Sequence, residues 1–252
     1  MQATVLAIDA GNTRIKWGVH DGRVWLQQAA VDTLHAQDLR DAFRTLAPSA
    51  VVVSNVAGER LRAQLAALLA HLPAAHWIAS RQLQCGVRND YADPAQLGCD
   101  RWAALIGARA HGSGSAVVVG AGTALTADAL TADGVFLGGV IVPGERLMRE
   151  ALRANTAGLA QNTGQFSAFP RTTGDAIASG AIDALCGAVE RIAAFLERAG
   201  QPRPRCVLSG GGAALLAPHL NMEVELVDNL VLEGLIAIAH DTQSNRSLPG
   251  AN

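Results

Sequence analysis

The chain has 252 residues, of which 50% are hydrophobic and 17% are charged, and its formal net charge is −2. This length and composition suit a globular protein that buries a substantial core in one large or two small domains. The nearly balanced charge gives no electrostatic basis for binding nucleic acid or an anionic membrane, which disfavours both function classes.

The first half of the chain predicts a small α/β layer. The predicted strands cover residues 4–9, 14–20, 23–30, 50–54 and 76–78, and the predicted helices cover 35–46 and 58–71. Apolar runs such as Val51-Val52-Val53 indicate buried strands, and the leucines within 58–71 recur at helical spacing. The short polar turn at Asp21-Gly22 suits a hairpin between the second and third strands.

The second half repeats this order of elements. Strands are predicted at 116–119, 124–130, 135–142, 205–208 and 224–227, and helices at 144–153, 174–199 and 229–240, with a short helix after residue 212. We therefore expect a duplicated α/β fold with halves at 1–112 and 113–240, followed by a polar tail at 241–252 that we expect to be disordered. Because ligands of α/β sheets lie outside the strand ends, we expect the ligand cleft between the halves.

Neither a secretion signal nor a membrane span is predicted. No apolar run approaches the ~20 residues that a transmembrane helix needs, and the N-terminus lacks a basic segment followed by an apolar stretch and a cleavage site. The cysteines are scattered without a C-x-x-C pair, so we expect reduced thiols in the cytoplasm and no zinc site. No basic stripe or helix-turn-helix pattern points to DNA.

The first predicted strand ends in a polar turn that suits a phosphate. Gly11 allows backbone N–H groups to approach an anion, and Asn12 and Thr13 add side-chain donors. Asp9 can hold Mg²⁺, usually through water, because that ion prefers oxygen ligands and keeps several waters. A polar hairpin turn without a ligand is the alternative interpretation.

Two further glycine-containing turns occupy comparable positions in the second half. After the strand at 116–119, Gly122 permits close backbone approach, and the hydroxyls of Thr123 and Thr126 can donate to phosphate oxygens. Residues 209–212 (Ser-Gly-Gly-Gly) lie between a strand and a helix and could carry the flat ring of an adenosine. Turns built only for tight packing are the alternative for both segments.

Short motifs spread over residues 4–238 carry a family resemblance. They are Asp-Ala-Gly-Asn-Thr at 9–13, Tyr91 followed by Leu-Gly-Cys-Asp-Arg-Trp at 97–102, Gly-Thr-Ala-Leu-Thr-Ala-Asp at 122–128, Gly-Gly-Val-Ile-Val-Pro-Gly at 138–144 and Asn-Thr-Ala-Gly-Leu at 155–159. Together they resemble type III pantothenate kinase, a family of the actin-like and sugar-kinase ATPase superfamily. The resemblance implies a duplicated actin-like (ribonuclease H-like) fold with ATP in the cleft between the halves.

The resemblance also implies a reaction. The γ-phosphoryl group of ATP would pass to the primary hydroxyl of pantothenate and give 4'-phosphopantothenate, the first step of coenzyme A biosynthesis. Asp100 matches the catalytic base of the family, and a carboxylate within hydrogen-bond reach of a hydroxyl can accept its proton during attack. A local ion pair between Asp100 and Arg101 near a helix start is the alternative interpretation.

The binding residues are likewise implied by the resemblance. The substrate-binding positions are Tyr91, Gly98, Cys99, Asp100, Arg101 and Thr173, and the ATP-binding positions are Asp9, Ala10, Gly11, Asn12, Thr13, Arg14, Ile15, Lys16 and Thr123. The planar fork of Arg101 suits a carboxylate. The alternatives are a half-buried surface aromatic for Tyr91, a helix N-cap for Thr173 and a solvent-facing strand position for Lys16.

One position departs from the family pattern. Many members carry an Asp two residues before the Gly of the Gly-Thr pair, where it helps to bind K⁺ or NH₄⁺, but this chain has Gly120 there. We therefore expect little stimulation by a monovalent cation, whereas Mg²⁺ with ATP is expected as in the family. A homodimer is also implied, with the apolar helix at 174–199 as an interface candidate and core packing as the alternative role of that helix.

Two other functions are alternatives to pantothenate phosphorylation. A catalytically weak nucleotide-binding regulatory protein could keep the same fold, but it would have no physical need for a base beside a substrate loop. A different enzyme of the superfamily, such as a phosphatase or a sugar kinase, is disfavoured by the absence of a large inserted substrate domain and by the 97–102 motif.

Overall fold

The protein consists of two compact units. The structure, a computed structural model, describes residues 4–156 and 164–246. Within these residues, the first unit combines 4–112 with 229–246, and the second unit covers the residues described between 113 and 228.

The strands and helices follow one another in chain order. The strands are β1 (Val5–Ala10), β2 (Arg14–His20), β3 (Trp25–Asp32), β4 (Ala50–Asn55), β5 (Ala75–Trp77), β6 (Leu83–Gln84), β7 (Val87–Asn89), β8 (Ala116–Ala121), β9 (Ala124–Leu130), β10 (Val135–Pro143), β11 (Arg205–Ser209) and β12 (Val224–Leu226). The α-helices are α1 (Leu39–Arg44), α2 (Gly58–Leu68), α3 (Cys99–His111), α4 (Glu145–Asn155), α5 (Thr173–Arg198), α6 (Ala213–Leu216) and α7 (Leu230–Arg246). Short 3-10 helices cover Thr33–Asp38, Pro94–Gln96 and Ala217–His219.

The first unit is built on a five-stranded sheet in the order β3-β2-β1-β4-β5. The β1–β2 and β2–β3 pairs are antiparallel, as tight turns require, and β4 and β5 continue the sheet in parallel to β1. Alternate residues such as Ile8 and Val53 enter a core with Phe43 and Leu65. In this core the rings of Trp17 and Phe43 meet edge to face, with centroids 5.3 Å apart.

The second unit repeats this sheet. Its strands follow the order β10-β9-β8-β11-β12, with antiparallel β8–β9 and β9–β10 pairs and with β11 and β12 continuing in parallel. The apolar side of α5 packs against this sheet, where Ile182, Leu185 and Val189 join Val119 and Leu208 in one core. The same order and directions in both units confirm the predicted duplication of an α/β fold.

Local sequence patterns predict the paired hairpins closely but miss other elements. The prediction of one helix over 35–46 is wrong in detail, because a 3-10 helix precedes the shorter α1. The predicted element order also omits the β6–β7 hairpin and α3. The buried side chains of Trp102, Leu105 and Ile106 lie at the helical spacing that could have identified α3.

The last helix differs from the sequence prediction in both its unit and its length. It was expected in the second half, yet α7 packs closely on α3 within the first unit. Two glycines explain this contact: a Cβ on Gly107 would lie 2.5 Å from the Leu230 carbonyl oxygen, and one on Gly234 would overlap the Ala103 carbonyl. The helix also continues through 241–246, which were expected to be disordered, while the rest of that tail lies outside the described residues.

The close contact between α3 and α7 predicts that Gly234→Ala destabilises the protein. The added methyl group must push apart two helix backbones, and overpacking of this kind costs about 1–3 kcal/mol in the free energy of unfolding. The matched control is Gly187→Ala on α5, where a Cβ meets nothing within 4 Å. That change should stabilise the helix by about 0.5–1 kcal/mol. Urea unfolding of both variants measures the two effects, and equal shifts in the same direction would contradict the packing argument.

Candidate active site

Two carboxylates define the candidate site in the first unit. Asp9 lies near the carboxyl end of β1, where its Cα partners are Lys16 on β2 and Ser54 on β4. Asp100 lies in the first turn of α3. The N-terminus of a helix suits acidic side chains, so Asp100 lies at a common position for an aspartate.

The carboxyl group of Asp9 is held in an unfavourable setting for a charge. Burial, the largest cause, and the neighbouring Asp100 carboxylate raise the pKa of Asp9 to about 7, against the opposing effect of Lys16. The Oδ1 atom of Asp9 is buried and has no hydrogen-bond partner. A buried acceptor of this kind costs free energy unless a donor or a cation satisfies it.

This setting fits a hard divalent cation. Carboxylate oxygens are the ligands that Mg²⁺ prefers, and the ion retains several waters when the protein supplies few ligands. Within residues 4–156 and 164–246, no group of three or more His, Cys, Asp or Glu side chains could hold a metal by itself. A Mg²⁺ ion at Asp9 would therefore take most of its ligands from water and phosphate oxygens.

The orientation of the Asp100 carboxylate is fixed by its own helix turn. Its Oδ1 atom accepts a hydrogen bond from the Arg101 backbone N–H at 2.8 Å. On the other side, a Cβ at position 98 would lie 2.7 Å from the same oxygen, so Gly98 leaves the space that the carboxylate occupies. The carboxylate consequently moves with the first turn of α3.

The predicted substrate residues Tyr91 and Arg101 are brought together. The buried Arg101 donates from Nη1 to the Tyr91 hydroxyl oxygen at 3.2 Å, and its guanidinium carbon lies 5.9 Å from the centre of the tyrosine ring. Tyr91 is half-buried. The pair presents a cationic fork beside a phenol, which is a suitable combination for an anionic group with polar neighbours.

Cys99 links the start of α3 to the end of β4. Its Sγ atom lies 3.3 Å from the Ser54 hydroxyl and 3.5 Å from the Asn55 carbonyl oxygen. Burial raises the pKa of the Cys99 thiol. The sequence prediction did not include Ser54 or Asn55, although two polar residues at the carboxyl end of a buried strand are a recognisable signal in an α/β sheet.

The segment before α3 is also anchored by residues that the sequence prediction missed. The Ser80 hydroxyl lies 2.7 Å and 2.8 Å from the carbonyl oxygens of Pro94 and Leu97. The buried Gln84 accepts a hydrogen bond from the Trp102 indole N–H at 3.1 Å. These contacts connect distant parts of the chain, so no local pattern reveals them.

The predicted phosphate turn of the first unit has a defined backbone. The Gly11 N–H donates to the Arg14 carbonyl oxygen at 3.0 Å, and the Gly11 carbonyl accepts from the Thr33 hydroxyl at 2.8 Å. The side chains of Asn12, Thr13 and Arg14 are exposed.

The remaining predicted ATP-binding residues of this unit differ in how deeply they are buried. Ala10 and Ile15 are buried in the core, so only their backbone could contact a ligand. Lys16 is half-buried and opposes Asp9 across the hairpin. The alternative of a merely solvent-facing Lys16 is therefore disfavoured, because its charge acts on a buried carboxyl group.

The second unit contains an equivalent turn. The Gly122 N–H donates to the Ala124 carbonyl oxygen at 3.0 Å, which closes a turn one residue shorter than the first, and Thr123 is exposed. The glycine-rich loop at 209–212 packs on this strand end, because the Gly212 N–H donates to the Ala121 carbonyl oxygen at 3.0 Å. Two of the predicted nucleotide segments thus adjoin each other within one unit.

Thr173 is the first residue of α5 and its side chain is exposed. The N-cap of this helix is Thr172, whose hydroxyl accepts from the Asp175 N–H at 3.1 Å. The interpretation of Thr173 as the cap is therefore wrong, and its hydroxyl is not needed for that role. Of the motif at 155–159, residues 157–159 lie outside the described residues.

Comparison with known proteins identifies the family. The model of the type III pantothenate kinase family matches residues 5–194. The chain belongs to the type III pantothenate kinase family. A type III pantothenate kinase from Nitrosospira multiformis is 47% identical over 98% of this chain and 95% of its own length. Another from Aromatoleum aromaticum is 48% identical over 94% of this chain and 98% of its own length.

The fold of this type III pantothenate kinase is shared by a more distant structure. A protein from Sinorhizobium meliloti, named as a 2-dehydro-3-deoxygalactonokinase, superposes with a TM-score of 0.57 over 98% of both chains at 17% identity. The fold is thus the duplicated actin-like and sugar-kinase ATPase fold. As in kinases generally, the phosphoryl donor of this family is ATP with a divalent metal ion. None of the helices in the described part of the chain is long and apolar enough to cross a membrane.

The buried carboxyl group predicts a pH-dependent effect of Asp9→Asn on the metal-free protein. Its pKa is about 7 in the folded protein against an ordinary value of 3.8, so the folded state holds a proton that the unfolded state loses between these values. Wild-type stability should therefore fall as the pH rises from about 4 to about 7 and stay low above that range. The Asp9→Asn variant has no ionisable group at this position, so its stability does not fall in this way. At about pH 8 it should be more stable than the wild type by up to about 4 kcal/mol, at about 1.36 kcal/mol per pKa unit.

Urea unfolding in the presence of a chelator, at about pH 4 and about pH 8, measures this difference. The two proteins should have similar stability at the lower pH. Added Mg²⁺ should stabilise the wild type more than the variant, because the variant lacks the anionic ligand. If the stabilities of the wild type and the variant change in parallel across this pH range, the surroundings do not raise the pKa of Asp9.

Proposed function

We propose that this chain transfers the γ-phosphoryl group of ATP to the primary hydroxyl of pantothenate. The product is 4'-phosphopantothenate, and the reaction is the first step of coenzyme A biosynthesis. Membership of the family makes the chain an ATP-dependent pantothenate kinase. The observation that carries the proposal is the Asp100 carboxylate, oriented at the start of α3 beside the Arg101–Tyr91 pair and near the buried Asp9.

Asp100 is the proposed catalytic base. As the pantothenate hydroxyl oxygen forms its bond to the γ-phosphorus, the bond from that phosphorus to the β-γ bridging oxygen breaks and ADP leaves. The hydroxyl proton passes to the Asp100 carboxylate. Because phosphoryl transfer depends mainly on positioning and charge neutralisation, a fixed carboxylate is sufficient as the proton acceptor.

Arg101 and Tyr91 are proposed to bind the substrate. Pantothenate carries a carboxylate, and a guanidinium fork binds that group with two parallel hydrogen bonds. The hydrogen bond from Arg101 to Tyr91 holds the fork in place before the substrate arrives. Gly98 and Cys99 complete the loop at the helix start, and the exposed hydroxyl of Thr173 is a further proposed substrate contact.

ATP is proposed to contact residues 9–16 and Thr123. The exposed donors of Asn12 and Thr13 suit phosphate oxygens, and Lys16 adds positive charge beside Asp9. Asp9 is the proposed Mg²⁺ residue, acting through water, since its buried Oδ1 lacks another partner. The ion, when bound, neutralises negative charge on the phosphates.

We further propose that the enzyme acts as a homodimer in the cytoplasm. The apolar side of α5, the interface candidate from the sequence, packs in the core of its own unit through Ile182, Leu185 and Val189. This packing favours the alternative role of that helix and directs a search for the dimer interface to other surfaces.

Replacement of the proposed base tests the function directly. Asp100→Asn should keep the fold and ATP binding but lower kcat by about 10²–10⁴-fold, the usual contribution of general acid–base catalysis. The measurement is pantothenate-dependent ADP formation with Mg²⁺. Asp93→Asn is the matched control: that side chain is exposed, caps the 3-10 helix Pro94–Gln96 that follows it, and retains its acceptor oxygen as an amide. Wild-type turnover by the Asp100 variant would remove Asp100 from the role of base.

The same assay tests the alternative function. Folded wild-type protein that forms no ADP with pantothenate would favour a regulatory protein or a different acceptor.

The residue at position 120 predicts weak dependence on a monovalent cation. Gly120 opposes Thr126 in the β8–β9 hairpin and supplies no carboxylate for K⁺ or NH₄⁺. We expect ADP formation to change little when K⁺ replaces a bulky organic cation at constant ionic strength, because a weakly bound ion contributes little to phosphate neutralisation. A strong K⁺ requirement would mean that other ligands, such as backbone carbonyls, build the cation site.

A further inference from the structure

We infer that Ser54 is a positioning residue for phosphoryl transfer. Through the Cys99 side chain it holds the first turn of α3, and with it the Asp100 carboxylate, against the carboxyl end of β4. The inference rests on the proposed function, in which Asp100 is the catalytic base.

The first support is the location of Ser54 in the sheet. Its side chain is fully buried, and its Cα partner on the adjacent strand is Asp9. Strand residues alternate between the two faces of a sheet, and Val53 belongs to the core of the first unit. Ser54 therefore faces away from that core, on the side where α3 begins.

The second support is a chain of hydrogen bonds through the thiol. When the Cys99 S–H donates to the Asn55 carbonyl oxygen (3.5 Å), the Sγ atom is available to accept from the Ser54 hydroxyl (3.3 Å). Burial is the main cause that raises the pKa of the Cys99 thiol; the hydrogen bonds to Ser54 and Asn55 oppose it and the charges of Asp100 and Asp9 add to it, and the net direction is upward. The thiol thus stays protonated and keeps the hydrogen that it donates to Asn55.

The third support is the rigid connection from Cys99 to the base. Asp100 is the next residue, and its carboxylate is fixed to the same turn by the Arg101 N–H and by the space at Gly98. A shift of this turn away from β4 therefore moves the carboxylate relative to Asp9. A displacement of about 1 Å can cost about 10²-fold in rate, so a small loss of anchoring has a measurable effect.

The experiment compares four variants in steady-state kinetics. Ser54→Ala and Cys99→Ala should each lower kcat by about tenfold, with the KM for ATP changed by less than about twofold, because the contact acts on the base. The double variant should be no slower than either single variant, since all three lack the same contact. Cys99→Ser should recover most of the lost kcat, because a hydroxyl can also accept from Ser54 and donate to Asn55.

The matched control for a general loss of packing is Val53→Ala. Val53 precedes Ser54 on the same strand and is fully buried in the core. Its truncation should lower the urea midpoint more than Ser54→Ala does, while kcat stays near the wild-type value. A similar loss of kcat in Val53→Ala, or additive losses in the double variant, would overturn the positioning role.

The wild-type protein and Asp100→Asn separate this inference from the proposed function. If the wild type forms no ADP with pantothenate, the proposed function fails and the role of Ser54 fails with it. If the wild type is active and Asp100→Asn is slow, but Ser54→Ala and Cys99→Ala both match the wild type, only the positioning role is overturned. Should Ser54→Ala fail to fold, the Cys99→Ala and Cys99→Ser pair gives the same test.

Discussion

Burial of the Asp9 carboxyl group, with the Asp100 carboxylate nearby, is the constraint on which the site depends. Asp9 is placed by its strand and Asp100 by the start of a helix, and the burial of Asp9 keeps water from screening its carboxyl group. Lys16 offsets burial and the Asp100 charge only in part, since together they raise the pKa of Asp9 to about 7. Above that pKa, Asp9 holds a negative charge that a cation can neutralise in place of a proton, and a nucleotide with its divalent ion brings such a cation to a kinase.

The β1–β2 and β8–β9 hairpins share a backbone arrangement but carry different functional groups at equivalent positions. Asp9 is the fifth residue of β1 and Gly120 is the fifth residue of β8, and in each copy the glycine two residues later closes the turn with a backbone hydrogen bond. The first copy therefore carries a carboxylate where the second carries a hydrogen atom. A side chain at Gly120 would approach the Thr126 hydroxyl at 2.9 Å, so the second turn is shaped for backbone and hydroxyl donors.

The sequence predicts those parts of the fold that local forces determine. The strands at 14–20 and 124–130 were predicted with their observed bounds, because alternation and short glycine turns act within a few residues. The placement of α7 in the first unit could not be predicted, since it depends on glycines that are distant in the chain and meet across two helices. The motif residues of the site were identified, but the Ser54–Cys99 contact joins residues 45 positions apart and leaves no local pattern.

The Ser54–Cys99 contact can have a small effect on the free energy of unfolding and a large effect on the reaction rate. A typical hydrogen bond contributes only about 0.5–1.5 kcal/mol net, and a thiol is a weak partner, so its loss is small against the ~5–15 kcal/mol that stabilises a domain. The same amount in an activation barrier is large, because about 1.4 kcal/mol changes a rate tenfold. A contact at the first turn of α3 can therefore be minor for folding and important for turnover, since the base lies on that turn.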